Sequence, residues 1–473
     1  MIKESVVYPE KIIYEQGVKD SDNLLIKEKK RQIGINERKV TVFSAGAKIL
    51  LDFGKEVKAC FEALTVCNDN ARIHVRYGES IAESMSELGV KNATNDHSLR
   101  DFFISPPNYS DQTYMSSGFR YIYIEVKEGT WIVKNLVVKS QEFVRKPLYL
   151  YQGNDEKIQE IFQTAKRTID LCACSDYVWD GIKRDRLVWY GDLHPEMLAL
   201  TSLYGRTKQV ENSIELGRRE YPLPHWMNFF PSYSMWWIIV VCDYYDATGC
   251  KAFTKRQLRY MIKLLAQMND FVDENGEMKY PDYFTDWPTY ETEGAKEGVR
   301  AIHILAVSKA VGLLQAFGYD TELAKKLLQK LKCKRIRAFD QKQIIALKCL
   351  AENRTTKEDY ARLIKGGSQG FSTFMSYYIL QAIAAYDREK AIELMKEYFD
   401  KMLSLGATTF WEDFDVTWAE NVFGIDEMPT TDKKDIHGDF GAYCYKGFRH
   451  SLCHGWSSGV IKFIKDNCVN EVE

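Results

Sequence analysis

The chain has 473 residues, 45% hydrophobic and 27% charged, which is material for a large soluble core and about two to four domains. Its formal net charge is −2 and no Lys/Arg stripe stands out, which excludes nucleic acid or an anionic membrane surface as the main partner. No window approaches the roughly 18 uninterrupted apolar residues of a membrane span; the most apolar stretch, Ser232–Cys242, is too short. The start, Met1 to Pro9, lacks the basic and apolar run of a signal peptide. Eleven cysteines are scattered without a framework, and no second Cys/His pair completes a zinc spacing with Cys172 and Cys174. Free thiols, a cytoplasmic setting and no metal or cofactor are therefore expected, with the oligomeric state open.

The first 147 residues read as strands. Ala71–Gly78 alternates Ile73, Val75 and Tyr77 with polar neighbours, the period of a half-buried strand. Lys48–Gly54, Phe119–Val126 and Thr130–Val138 are similar, and short strands between Gly, Asn, Asp and Pro turns indicate a β-sandwich. Phe143–Leu150, with Pro147, is the expected crossing into a second domain over 148–473.

From Asn154 onward apolar residues recur at helical spacing. Candidate helices are Lys157–Cys172, His194–Tyr204, Tyr233–Ala247, Lys255–Met268, Lys296–Ala316, Thr321–Leu331, Asp340–Ala351, Lys357–Lys365, Thr373–Ala385, Arg388–Leu405 and Ser451–Asp466, with room for one more near Thr207–Leu216. No short motif repeats at a fixed period, so a closed barrel of six inner and six outer helices is expected over a solenoid.

Four polar-aromatic segments fall between these helices. The richest, Asp180-Gly-Ile-Lys-Arg-Asp-Arg-Leu-Val-Trp-Tyr-Gly-Asp192, packs three carboxylates, three cations and two aromatics into thirteen residues. The others are Tyr283-Phe-Thr-Asp286-Trp287-Pro-Thr, Gly406-Ala-Thr-Thr-Phe-Trp411-Glu412-Asp413-Phe-Asp415 and His450-Ser-Leu-Cys-His454-Gly-Trp456. Carboxylates beside an apolar wall are what glycoside hydrolysis needs, one protonating the leaving oxygen while the other activates water or attacks the sugar. Bland readings stand beside this one. Asp185 reads equally as an Arg-paired surface carboxylate, because Arg184 and Arg186 flank it. Glu412 reads as a helix N-terminal charge, Asp180 and Asp192 as caps, Glu196 as an ordinary first-turn acid, and His454 as a core histidine. His194, His225, Trp226 and Trp456 stay undecided.

Asp180-x4-Asp185-Arg-x2-Trp189-x-Gly-Asp192, Gly406-Ala-Thr-Thr-Phe-Trp-Glu412 and Ser451-Leu-Cys-His454 together resemble motifs of the α-L-rhamnosidases, glycoside hydrolase family 78, in the right order. Ile49-Leu-Leu-Asp-Phe-Gly-Lys-Glu-Val and Val75-Arg-Tyr-Gly-Glu-Ser are similar to the β-sandwich that precedes the barrel in such enzymes. The resemblance implies an inverting hydrolase with an (α/α)6 barrel and a carbohydrate substrate. It implies Asp185 as general acid and Glu412 as general base, with Asp180, Arg184, Trp189, Asp192, Asp286, Trp287, Trp411 and His454 on the sugar. Three departures leave the sugar open: Asp185 stands where many members have Glu, Gly181-Ile182 replaces Cys-Pro, and no C-terminal β-domain follows. Two alternatives remain, a hydrolase of another sugar (an unsaturated glucuronyl hydrolase among them) and a sugar-binding protein without turnover.

Overall fold

The structure, a computed structural model, describes residues 1–28, 32–290, 292–337 and 339–468. An N-terminal sheet half is followed by a helical half, in the expected order. The last five positions of the expected second domain, 469–473, lie outside the described residues.

The sheet half contains β1 (Ile2–Val7), β2 (Lys11–Lys19), β3 (Thr41–Gly78), β4 (Asp101–Ile104) and β5 (Ser110–Phe143), all antiparallel, in the order β1-β5-β3-β2 with β4 on β3. The expected short strands are merged into two long ribbons. These bend where Gly54, Asn70 and Gly129 take positive φ, so pairing continues through the corners as bulges. Within β3, residues 41–52 and 67–78 flank 121–133 of β5, whereas 57–65 lie between 110–119 and 133–140. Ile49, Ile73 and Ile124 from the first set share one core with Phe61, Leu136 and Val138 from the second.

After α1 (Ile81–Met85), which follows β3, come twelve helices among the described residues. They are α2 (Glu156–Cys172), α3 (Leu193–Tyr204), α4 (Lys208–Glu220), α5 (Pro231–Thr248), α6 (Lys251–Asp270), α7 (Glu293–Ala316), α8 (Glu322–Lys332), α9 (Lys342–Glu352), α10 (Lys357–Leu363), α11 (Thr373–Ala384), α12 (Arg388–Ser404) and α13 (Val460–Asn467). Burial alternates along this series. Every residue of α3 is buried, as are most of α5, α7, α9 and α11, whereas α4, α6, α8 and α12 bury one face. Helices apolar all round belong inside, and amphipathic ones cover them. Accordingly α3 packs on α5, α5 on α7, α7 on α9 and α9 on α11; the 3-10 turn Gly455–Gly459 then lies against both α11 and α3.

Helix α7 is long and apolar enough by composition to cross a membrane, but its apolar window is mostly buried among its neighbours. The expected helix over Ser451–Asp466 begins only at Val460. Residues 451–454 are committed elsewhere: Ser451 and Phe410 carbonyls accept from the Glu412 and His454 amides. His194, undecided from sequence, is a core residue, with Tyr378 and Asp243 within 2.7 and 2.9 Å of its two ring nitrogens. Trp226 packs on Phe271 and Tyr280.

Inside α7, His303 is fully buried and its Nε2 has no partner. Burial, with Arg300 nearby, pushes its pKa from the ordinary 6.5 down to about 3. The folded state therefore holds it neutral while the unfolded chain protonates it, so this contribution to stability is present above about pH 6.5 and lost as pH falls. His303→Gln is expected to lose about 2 kcal/mol less stability than the parent between about pH 6.5 and pH 5. Urea titrations of both proteins at the two pH values check this; equal losses would mean that His303 takes a proton without cost.

Candidate active site

The loop between α2 and α3 is tied at both ends by Asp180. Its backbone N–H donates to the Leu187 carbonyl at 3.0 Å and its Oδ1 accepts the Leu187 N–H at 2.9 Å. The other side of the loop is stitched to the chain's last loop, where Gly181 pairs with His454 and the Gly455 N–H donates to the Asp180 carbonyl. Between these ties, Asp185 (φ 53°) and Arg186 (φ 60°) both stand in the left-handed region. Two successive non-glycine residues there cost about 1–3 kcal/mol each and persist only where surrounding contacts hold them. The result is that the two arginines part company. Arg186 turns away to the Ile182 carbonyl and over the Trp179 ring. Arg184 turns inward, donating to Asp185 Oδ1 at 2.9 Å with one nitrogen and to Glu412 Oε1 with another.

Glu412 lies in an irregular segment between α12 and a 3-10 turn at Val416–Ala419. It starts no helix, so the helix-terminus reading falls away. Its Oε2 accepts the Ser451 N–H at 2.9 Å, and its own carbonyl accepts from Thr373 Oγ1 and from Trp456 Nε1. Asp192 does occupy the N-cap position of α3, but its side chain makes no capping bond. Instead it faces the cavity, 3.5 Å from the Tyr233 hydroxyl. His454 sits among the acids, its Nε2 3.8 Å from Asp180, 3.9 Å from Asp192 and 3.8 Å from Glu412.

Burial governs the charge states. It pushes the carboxyls of Asp180 and Asp192 well above the ordinary range, with neighbouring carboxylates adding to the effect. Both carboxyls face the cavity from buried positions. Glu196, behind them, is raised the same way; its Oε1 has no partner, and a Cβ on Gly455 would stand 2.2 Å from it. Burial, then the Arg184 charge, lowers the His454 imidazole to about 3, so it is neutral and forms no ion pair with the acids around it. Asp185 is the most open of the four cavity carboxyls, 18% exposed against 3–4% for Asp180, Asp192 and Glu412.

A cavity of about 230 Å³ is lined by Asp180, Arg184, Asp185, Trp189, Asp192, Trp287, Glu412 and His454, eight of the ten residues singled out from sequence. Asp286 and Trp411 do not line it. Asp286 is buried, 2.5 Å from the Ser372 hydroxyl and accepting from the Trp287 N–H; burial raises its carboxyl to about 6. It holds the turn that presents Trp287. Trp411 is turned into the core against Phe414. Phe230, Tyr233, Cys444 and Arg449 complete the lining without having been anticipated, and Trp456, undecided from sequence, lines it too. Arg449 abuts the His450–Trp456 motif and was within reach of a wider window, whereas Phe230 and Tyr233 were hidden in an apolar helix start. All eleven thiols are free.

No family model and no curated protein sequence matches the chain. Solved structures do. A rhamnosidase from Klebsiella oxytoca, solved with rhamnose bound, superposes with a TM-score of 0.75 at 18% identity, over 99% of this chain and 96% of that one. A family 78 rhamnosidase of Bacillus sp. GL1 gives 0.70 at 17% identity over 94% of this chain, which spans only 48% of that protein. An α-L-rhamnosidase of Streptomyces avermitilis complexed with L-rhamnose gives 0.63 at 11% identity, over 88% and 42%. Sheet half, helical half and the loops between them together have the fold of the α-L-rhamnosidases.

Proposed function

We propose that the protein is an inverting glycoside hydrolase that releases a terminal L-rhamnose from a small glycoside or oligosaccharide. The observation that carries this is the sharing of one buried guanidinium, Arg184, by the carboxyls of Asp185 and Glu412 across an aromatic-walled cavity. An arginine between two carboxyls holds them further apart than a direct hydrogen bond would, and inversion needs that space for a water. Asp185, the more open of the two, is placed to protonate the leaving oxygen, and Glu412 to take the proton of the attacking water. Asp180 and Asp192, both buried, hydrogen-bond to sugar hydroxyls, and Trp189, Trp287 and Trp456 cover the ring's apolar faces. A cavity of about 230 Å³ is below the usual size of drug-sized sites and suits one sugar ring.

A neutral sugar is favoured over a uronate, because both cations at the cavity are already paired, Arg184 with two carboxyls and Arg449 with Asp96. The circuit of α3, α5, α7, α9, α11 and the Gly455 segment supports an (α/α)6 barrel. The two pairing sets around one core support a β-sandwich. The gap between Phe143 and Glu156 supports a domain division near residue 147. The free thiols suit a reducing, cytoplasmic setting.

The test is hydrolysis of 4-nitrophenyl α-L-rhamnopyranoside against a panel of aryl glycosides and unsaturated uronides, with the first-formed anomer read by NMR. Turnover on the rhamnoside with initial release of the β-anomer is expected. Activity on another glycoside alone replaces the sugar, and release of the α-anomer removes inversion. Saturable binding of L-rhamnose without turnover of any glycoside makes the protein a sugar-binding protein.

A further inference from the structure

The Val75–Ser80 stretch takes no part in lining the cavity, yet it reaches the loops that do. Glu79, the residue after β3, is completely buried. Its Oε2 accepts the Leu452 N–H at 2.7 Å and lies 2.8 Å from Lys183 Nζ; its Oε1 is 3.3 Å from the Ser451 hydroxyl. Leu452 and Ser451 belong to the loop whose Ser451 N–H holds Glu412. Lys183 is the residue before Arg184. Its buried ammonium is further enclosed by Glu83 Oε1 at 3.2 Å and by the carbonyls of Phe448 and His450 at 2.9 and 2.6 Å. Glu83 in turn accepts the Glu79 N–H at 2.8 Å.

Glu79, Glu83 and His437 bring three potential metal ligands within 4.8 Å of one another, but the site already has its cation. The Lys183 ammonium lies against both carboxylates. The two His437 nitrogens are engaged by the Ser80 hydroxyl at 2.8 Å and the His450 carbonyl at 2.9 Å. The backbones also meet directly: a Cβ on Gly118 of β5 would stand 2.8 Å from the Lys183 nitrogen, so only glycine lets the sheet press this close. A buried ion pair adds little net stability over apolar residues of the same size. What this one does is fix both loops to a single carboxylate.

We propose that Glu79 is a positioning residue: acting through Lys183 and the Ser451–Leu452 backbone, it sets the spacing between Asp185 and Glu412, making the sheet half part of the catalytic apparatus. This rests on the reading of the cavity given above. Misplacement of reacting groups by about 1 Å costs on the order of 100-fold in rate.

Full-length Glu79→Gln, Lys183→Met and the double variant test it, with three readouts: kcat and KM on the glycoside the parent hydrolyses, thermal stability, and hydrogen exchange over residues 448–456. Glu79→Gln is expected to lower kcat about 100-fold with KM nearly unchanged, and to speed exchange at Ser451 and Leu452. Lys183→Met leaves two buried carboxylates facing each other and loses stability; the double variant regains much of it without regaining kcat. Unchanged kcat in Glu79→Gln, or a double variant that recovers turnover together with stability, overturns the proposal. If the parent hydrolyses no glycoside, the functional reading fails on its own, and exchange still decides: unchanged protection in Glu79→Gln removes the positioning role, faster exchange keeps it.

Discussion

Glu412→Gln and Asp185→Asn are each expected to lower turnover by roughly 10²–10⁴-fold, the range that one general acid or base supplies. Their signatures differ. In Glu412→Gln the amide oxygen still accepts the Ser451 N–H that the parent accepts at 2.9 Å, so the loop keeps its place while the amide cannot take a proton from water. The loss is then the same for every leaving group, and azide, which needs no base, restores product formation with inverted configuration. Asp185→Asn removes the proton donor instead. Its penalty is largest for a rhamnosyl disaccharide, whose alkoxide leaves poorly, and smallest for a nitrophenyl glycoside, whose phenolate leaves unaided. Steady-state kinetics on both substrates with both variants separates the roles. Equal sensitivity of the two variants to the leaving group would exchange or abolish the assignment.

Arg184→Met is expected to destabilise the protein by about 3–5 kcal/mol at neutral pH, the cost of leaving buried charge without its partner. Arg184 and Glu412 are both almost fully buried, and Asp185 depends on the same guanidinium. The strained backbone at Asp185 and Arg186 loses one of its restraints as well. Adding Glu412→Gln to Arg184→Met removes the stranded charge and recovers part of the loss, the behaviour of a coupled pair. Urea unfolding of the three proteins measures it. A change below about 1 kcal/mol would place this pair with exposed surface ion pairs.

Much of the site was legible because its residues violate the patterns around them. Charges and tryptophans crowded between apolar helices mark Asp180–Asp192, Trp287, Glu412 and His454; of these, Asp180, Arg184, Asp185, Trp189, Asp192, Trp287, Glu412 and His454 meet in one cavity. Asp286 and Trp411 carry the same local signal but point elsewhere, since adjacent residues of an irregular segment face opposite ways and composition is blind to direction. Tyr233 and Phe230 were invisible for the reverse reason, being aromatic residues in an aromatic helix start. The sheet half's contributions could not be read at all. Glu79 touches Lys183, Asp96 pairs with Arg449, and His97 Nδ1 accepts the Asp185 N–H at 3.1 Å. Periodicity orders residues within a segment and says nothing of which loop a strand end will lie over. The same limit explains the last helix, whose expected first turns are taken by backbone pairing to the Glu412 segment.

One arginine between two acids also fixes the electrostatics of a whole turnover. In the proposed reaction the proton that Asp185 gives up is matched by the one Glu412 accepts from water. A single negative charge thereby passes from one arm of the Arg184 fork to the other. The guanidinium faces the same total charge before and after, and the buried cavity never has to accommodate a change in its own. What must be restored between cycles is only the address of one proton.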